Sequence, residues 1–291
     1  MNIAAVLAVI DGGEGSRAVV QAAFDLVRRT DAYVEVIHVR PDPADSVPLV
    51  GEGMSGAMVD QVMSELRARA ESNAAAAWQL FEEQCAARDL PPLQAEALTP
   101  TRGRAAFRSV EGREDDELAR RSRLFDLTLI ARPGGGETGG YAPGLEAVLF
   151  DGGRPVLVVP PEAPPRCGER VVVAWNGRRE AARAATAALG LLASAAAVTV
   201  VSIEEHGRAG GGDADPAELT AWLGLHAIEA RARRVPLAGS AGATLLAEAE
   251  EAGADLLVMG AYGHSRLRQF IVGGATRSVL AQSPVAVLMA H

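Results

Sequence analysis

Short apolar runs of strand composition recur along the chain, each bounded by glycine, proline or charge. In the first half these are Ile3 to Ile10, Tyr33 to Val39, Leu127 to Ala131 and Val156 to Val159, with Leu93 to Leu98 a weaker one. Between them the apolar residues return every three or four positions, the spacing that gathers them on one face of a helix. Ser16 can cap a helix over Arg17 to Arg29, Arg104 to Arg121 reads as mostly helical, and Leu145 to Phe150 as a short helix. Met54 to Arg88 is a longer helical stretch with Met58, Val62, Leu66, Trp78, Leu80 and Phe81 as apolar positions. Such a stripe either packs on its own sheet or forms a partner surface.

The second half repeats the alternation. Strands are expected from Val171, at Val198 to Ile203, Ala227 to Ala232, Leu256 to Met259 and Pro284 to Met289. Helices are expected over Glu180 to Leu192, Pro216 to Leu225 and Ala241 to Glu251, and after Gly273 or Gly274. Strand and helix in alternation imply an α/β fold with a parallel, doubly wound, five-stranded sheet in each half. With strand order 3-2-1-4-5, the crevice where the order reverses lies between Asn176 and Gly260.

The halves are one domain written twice. Ile3 to Gly12 matches Val171 to Gly177, placing Asp11 opposite Asn176, and Tyr33 to Val39 matches Ala197 to Ile203. Asp126 to Ile130 matches Asp255 to Met259, and Arg154 to Val159 matches Ser283 to Leu288, both with an offset of 129. The expected units are residues 1–160 and 170–291, joined over 161–169 by a stiff segment containing Pro161, Pro164 and Pro165.

Between the last two strands of the second half runs Gly260-Ala261-Tyr262-Gly263, then Gly273-Gly274-Ala275-Thr276. Glycines let backbone approach a ligand closely, and a helix opening after them turns unpaired N–H groups toward an anion, phosphate above all. In the first half Gly134 falls on Gly263 and Gly144 on Gly273, but Ala131 falls on Gly260, Leu145 on Gly274 and Ala147 on Thr276. The first loop keeps its length and loses half its chemistry.

Composition removes several alternatives. All 28 basic residues are arginine, so neither a Walker A lysine nor Schiff-base chemistry is available. A net charge of −9 leaves no electrostatic surplus for nucleic acid. No apolar run is long enough for a membrane span, and Met1 leads straight into the first strand, so a cytoplasmic protein is expected. Cys85 and Cys167 encode no zinc motif or disulfide framework, and His206, His226 and His291 share no ligand spacing. His38 lies on a buried strand pattern as a core histidine. His264 beside Ser265 has no nucleophile elbow around it. Gly13-x-Gly15-x-x-Ala18, with Arg40 ending the second strand, imitates a dinucleotide fingerprint and leaves an NADP-dependent enzyme as a remote alternative.

The order Gly260-x₂-Gly263-x₉-Gly273, after Asp255-Leu256-Leu257-Val258-Met259 and before Ser283-Pro284-Val285, resembles the nucleotide-binding signature of the universal stress protein family in its tandem form. The resemblance implies two Rossmann-like domains and, in one branch, ATP or AMP at the loop, with Mg as a possible companion. It implies that Asn176 meets ribose and phosphate, that Ile203 contacts adenine, and that Gly260, Gly263, Gly273 and Gly274 take the phosphates. Gly274 stands where that branch carries Ser or Thr, with Thr276 the nearby hydroxyl; Arg266, Arg268 and Arg277 flank the loop. Another branch binds no nucleotide and acts as an interaction module. The family pattern also implies that the final strands of the two halves pair into an internal pseudo-dimer, with a homodimer of whole chains plausible. No base, nucleophile or metal is positioned for catalysis, so any ATP hydrolysis is expected to be slow.

Overall fold

The computed structural model describes residues 3–41, 56–95, 103–132, 143–162, 166–204, 214–261 and 274–291. The first half contains strands β1 (Ala5–Val9), β2 (Tyr33–Arg40), β3 (Leu93–Gln94), β4 (Ala105–Glu111), β5 (Leu127–Ala131) and β6 (Val156–Val159). Its helices are α1 (Glu14–Thr30), α2 (Gly56–Ala86), α3 (Glu114–Ser122) and α4 (Pro143–Phe150). The second half contains β7 (Arg170–Ala174), β8 (Ala197–Glu204), β9 (Arg231–Pro236), β10 (Leu256–Gly260) and β11 (Ala286–Ala290). Its helices are α5 (Arg179–Leu192), α6 (Pro216–Leu225), α7 (Ala241–Glu251) and α8 (Gly274–Gln282).

One eleven-stranded sheet runs through both halves in the order β3-β4-β2-β1-β5-β6-β11-β10-β7-β8-β9. Within each half every pairing is parallel, and the second half has the expected order 3-2-1-4-5. The halves meet where β11 pairs β6 antiparallel, with Leu288 opposite Leu157 and Met289 opposite Val156. Each of these strands would otherwise end its sheet as a bare apolar edge, and all residues of both are buried.

Helices cover both faces, because parallel strands need crossovers and bury both sides. Buried residues of α1, α2, α5 and α6 share one apolar cluster, and those of α3, α4, α7 and α8 the other. The Asp at the foot of the fourth strand does the same work in both halves. Asp126 Oδ2 accepts from the N–H of Ala4 (2.8 Å) and Ala5 (3.1 Å), and Asp255 accepts from Gly168, Glu169 and Arg170. Each carboxylate ties the start of the half to its fourth strand.

Four expectations change. Arg104 to Arg121 is not one helix: Ala105–Glu111 is the third strand of the first half, and Gly112, at φ 150°, turns the chain into α3. Arg108 can sit in that strand because it pairs with buried Glu35 on β2, Nε to Oε1 2.9 Å. Leu93–Gln94 is then an extra edge strand beside β4, giving the first half six strands rather than five. In the second half the third strand is Arg231–Pro236, later than Ala227 to Ala232, because Ala227 takes φ 58° and Ile228 is buried at a turn. Its arginines are tolerated on an exposed edge. Ser16 lies inside α1 rather than capping it. Its hydroxyl donates to Asp11 Oδ1 (2.8 Å) and accepts from the N–H of Gly12 (3.1 Å).

The long helix α2 packs by its C-terminal part. Ala77, Phe81 and Cys85 are fully buried, and Trp78 and Phe81 join Phe24 and Phe107 in an aromatic cluster with centroids 5.3 to 6.3 Å apart. Met58, near its other end, is exposed.

Candidate functional site

At the carboxyl ends of the second half's strands, β7 lies between β8 and β10, so the strand order reverses there. After β7 the chain turns through Asn176 and Gly177, the latter at φ 69°, a region glycine enters without strain. Asn176 is exposed, and its Oδ1 accepts from the N–H of Arg178 at 3.1 Å. Asp11 and Gly12 (φ 85°) form the same turn in the first half, Asp11 Oδ1 accepting from Gly13 N–H at 2.7 Å. The side chain that ends strand one is thus first a turn-former, whichever of Asp or Asn supplies it.

Ile203 stands on β8, half-buried and opposite Val235 of β9. Trp175 N–H donates to Val201 O at 2.8 Å and the Ser202 hydroxyl donates to Trp175 O at 2.9 Å. These bonds fix Ile203 and Asn176 side by side on adjacent chain segments.

Gly260 is the last residue of β10. A Cβ there would stand 2.5 Å from Ala181 N and 2.6 Å from Glu180 C, in the first turn of α5. Gly260 therefore lets the helix that follows Asn176 approach the neighbouring strand. In the first half the roles are exchanged: the strand carries Ala131, and the helix carries Gly15, whose added Cβ would lie 2.6 Å from Ala131 Cβ. One of the two partners must lack a Cβ. The Ala131 for Gly260 replacement is thus a packing exchange, and Gly15 of the dinucleotide-like motif has a packing role.

Gly274 opens α8 and is exposed, and among the described residues nothing lies within 4 Å of where its Cβ would point. Thr276 is 4 % exposed, on the same packed face as Val279 and Leu280, while Arg277 is exposed. The first turns of α7 and α8 lie together: a Cβ on Gly242 would be 3.0 Å from Ala275 O. Gly263, Gly273, His264, Arg266 and Arg268 lie outside the described residues.

Around α4 of the first half the surroundings differ in charge and room. A Cβ on Gly144, in the first turn, would stand 2.6 Å from Glu114 Oε1. A carboxylate of the chain itself therefore lies against the helix start where an anion would bind. Burial pushes the Glu114 carboxyl above its ordinary range, and Asp11 and Asp115 push the same way. Glu114 begins α3 and buried Leu118 follows four residues on; Ala241 begins α7 and buried Leu245 follows four residues on. The second half has a methyl group at the position of that carboxylate. In addition α2 crosses the first crevice, where a Cβ on Gly12 would be 3.2 Å from Asn73 O. What remains is a cavity of about 110 Å³ lined by Asp11, His38, Ala70, Asn73 and Glu114 among others.

A larger hollow of about 730 Å³ lies at the opposite, amino end of β7, β8 and β9. Its arginines and glutamates are partly spent on each other, Arg233 with Glu248 at 3.2 Å and with Glu251 at 2.7 Å. Ligands of open α/β sheets sit at the other end. Among the described residues no His, Cys, Asp or Glu cluster could hold a metal. Cys85 and Cys167 are free and buried, their thiols pushed up to about 11 and about 12, burial being the main cause. No described helix is long and apolar enough to cross a membrane.

The sequence profile described as the Universal stress protein family matches residues 3–138 and 168–291. No curated protein matches. Among solved structures, a universal stress protein from Archaeoglobus fulgidus DSM 4304 is 19% identical, with 98% of this chain and 97% of that one covered and a TM-score of 0.68. A putative universal stress protein from Pseudomonas aeruginosa UCBPP-PA14 is 14% identical over 98% of this chain and 92% of that one, at a TM-score of 0.54. These likenesses extend over both halves.

Proposed function

We propose that this chain, which belongs to the universal stress protein family, binds one adenine nucleotide, ATP or AMP, in the crevice of its second half, as a regulatory rather than a catalytic ligand. The observation that carries the reading is the contrast between the two helix starts. Glu114 lies against α4, whereas α8 opens on exposed Gly274 with no described side chain beside it and Ala241 in place of the acid. A helix start free of carboxylate favours phosphate, and one already holding a carboxylate repels it.

In this reading Ile203 meets the base and Asn176 offers its amide to ribose while its Oδ1 holds the turn. The phosphates lie along Gly260, Gly263, Gly273 and Gly274, with Arg277 on the exposed side of α8. Thr276, packed beneath the helix, supports its first turn. Mg²⁺, where present, arrives on the phosphates. The first half takes no nucleotide: its remaining cavity is well below the roughly 300–1,000 Å³ usual for ligand pockets.

Titration calorimetry of nucleotide-stripped protein tests this. Saturable binding of ATP or AMP that Gly263→Asp abolishes is the expected result. A flat trace at millimolar ATP would assign the chain to the family's non-nucleotide branch, acting through its surface. Binding of NADP with none of ATP would support the dinucleotide alternative.

A further inference from the structure

We propose that the outer edge of β9, with the hollow beside its amino end, receives an extended acidic segment of a partner protein, added as a parallel strand with a large apolar side chain in the hollow. This inference does not depend on the nucleotide reading.

The repeat shows what fits this edge. In the first half β3 pairs parallel to β4 at Ala106 and Phe107, and the N–H of Ala95 donates to Phe107 O at 2.8 Å. Ala106 stands opposite Glu35 as Arg231 stands opposite Thr199, and Glu35 and Thr199 are equivalent positions of the repeat. Arg231 and Ala232 are therefore the second-half counterparts of the two residues that β3 covers. Among the described residues no strand pairs the outer edge of β9, and the chain is described without a break over 166–204 and 214–261, where all the described lining of the hollow lies.

The side chains that fill this corner of the first half are replaced as well. There Tyr33 stacks on Phe125, ring centroids 6.4 Å apart, and Leu93 and Ala95 of the β3 segment pack against the same cluster. Ala197 takes the place of Tyr33, and Ala254, just before Asp255, that of Phe125. The result is the hollow of about 730 Å³, with Ala197, Thr199, Arg231 and Ala252 in its lining. A strand laid along β9 sends every second side chain over this face. Added strands are recognised in this way, backbone bonds giving affinity and side-chain pockets giving specificity.

Charge selects the occupant. β9 carries three arginines and no acid. Arg233 is paired with Glu248 and Glu251, and Arg234 with Asp215 at 3.4 Å, whereas exposed Arg231 has no partner among the described residues. Two copies of this edge side by side would set arginine against arginine, and like charges across strands are destabilising. An acidic segment complements the edge instead.

The test uses the whole chain and a capped synthetic peptide, Glu-Phe-Glu-Val-Glu, in titration calorimetry and amide hydrogen exchange. Saturable binding should slow the exchange of amides within residues 231–235. The same peptide with lysine for glutamate, or with an N-methylated backbone that cannot donate to the edge, should not bind. Ala197→Tyr, which installs the first-half residue in the hollow, and Arg231→Glu should each weaken the complex by about tenfold or more. Should Ala197→Tyr fail to fold, Arg231→Glu and the exchange pattern still decide. No binding by the parent chain, equal binding of the lysine or N-methylated peptide, or an affinity unchanged by Arg231→Glu would overturn the proposal. Self-association of the chain that Ala197→Tyr abolishes would assign the edge to a second copy and overturn it equally.

Discussion

Gly15 and Ala131 form the most direct residue-level test of how the two halves are related. Gly15→Ala should cost about 1–3 kcal/mol by overpacking against Ala131 Cβ. Adding Ala131→Gly should recover most of that loss, because it recreates the Gly260 arrangement of the second half. Urea melts of the two single variants and the double variant measure the coupling. An additive double variant would mean that the contact is not what selects these residues. Glu114 gives a second test. Its folded-state pKa is raised above the ordinary value of 4.5, so the native state holds the proton more tightly than the unfolded chain. The contribution is favourable at low pH and is lost as pH rises from about 4.5 through the folded value. Glu114→Gln should therefore flatten the loss of stability across that window and leave the protein more stable at pH 7 than the parent, in melts at a series of pH values. Neither effect could be read from spacing alone. The repeat reveals that Ala131 replaces Gly260, but not that Gly15 faces it; that requires the pairing of strand with helix.

At the scale of elements, β4 shows why a strand was hidden in the sequence. Arg108 and Glu111 suggest a solvated helix face, yet Arg108 and Arg121 of α3 both grip Glu35, which is fully buried on β2, Arg121 Nε at 2.7 Å. Removing the acid leaves two part-buried guanidinium groups facing each other. Glu35→Ala should cost about 3–5 kcal/mol, the usual loss when one partner of a buried ion pair is deleted, measured by denaturant unfolding. The elements with regular apolar spacing were legible instead. Pro216–Leu225 and Ala241–Glu251 match the expected helices at both ends, and Leu127–Ala131 and Val156–Val159 match as strands. The third strand of each half was misplaced: β9 is an edge strand carrying three arginines, and β4, paired by β3 only at Ala106 and Phe107, carries polar residues beyond them. For α2 both readings offered by its stripe remain informative: Phe81 and Trp78 pack on the sheet side, while Met58 is exposed. Phe81→Ala should cost about 3–5 kcal/mol, as for other fully buried aromatic side chains.

For the whole molecule, the antiparallel pair β6–β11 turns two five-strand repeats and one extra edge strand into a continuous sheet, and that joining preserves two crevices at opposite ends of the repeat. In the proposed reading they have diverged: Glu114 and α2 narrow the first, and the second takes an adenine nucleotide. The site was half-legible in sequence. The order of glycines pointed to the second half, but the acid that closes the first, Glu114, lies on a helix twenty-nine residues before Pro143 and shares no motif with the loop. Ala241→Glu moves that acid into the second half. As the first residue of α7 it favours the helix dipole, so the fold should be kept. The deciding measurement is therefore calorimetric titration of ATP into the stripped parent chain and into Ala241→Glu. The account predicts one nucleotide per parent chain and at least a tenfold weaker complex in the variant, about 1.4 kcal/mol. Two nucleotides per chain, or an affinity unchanged by Ala241→Glu, would contradict it.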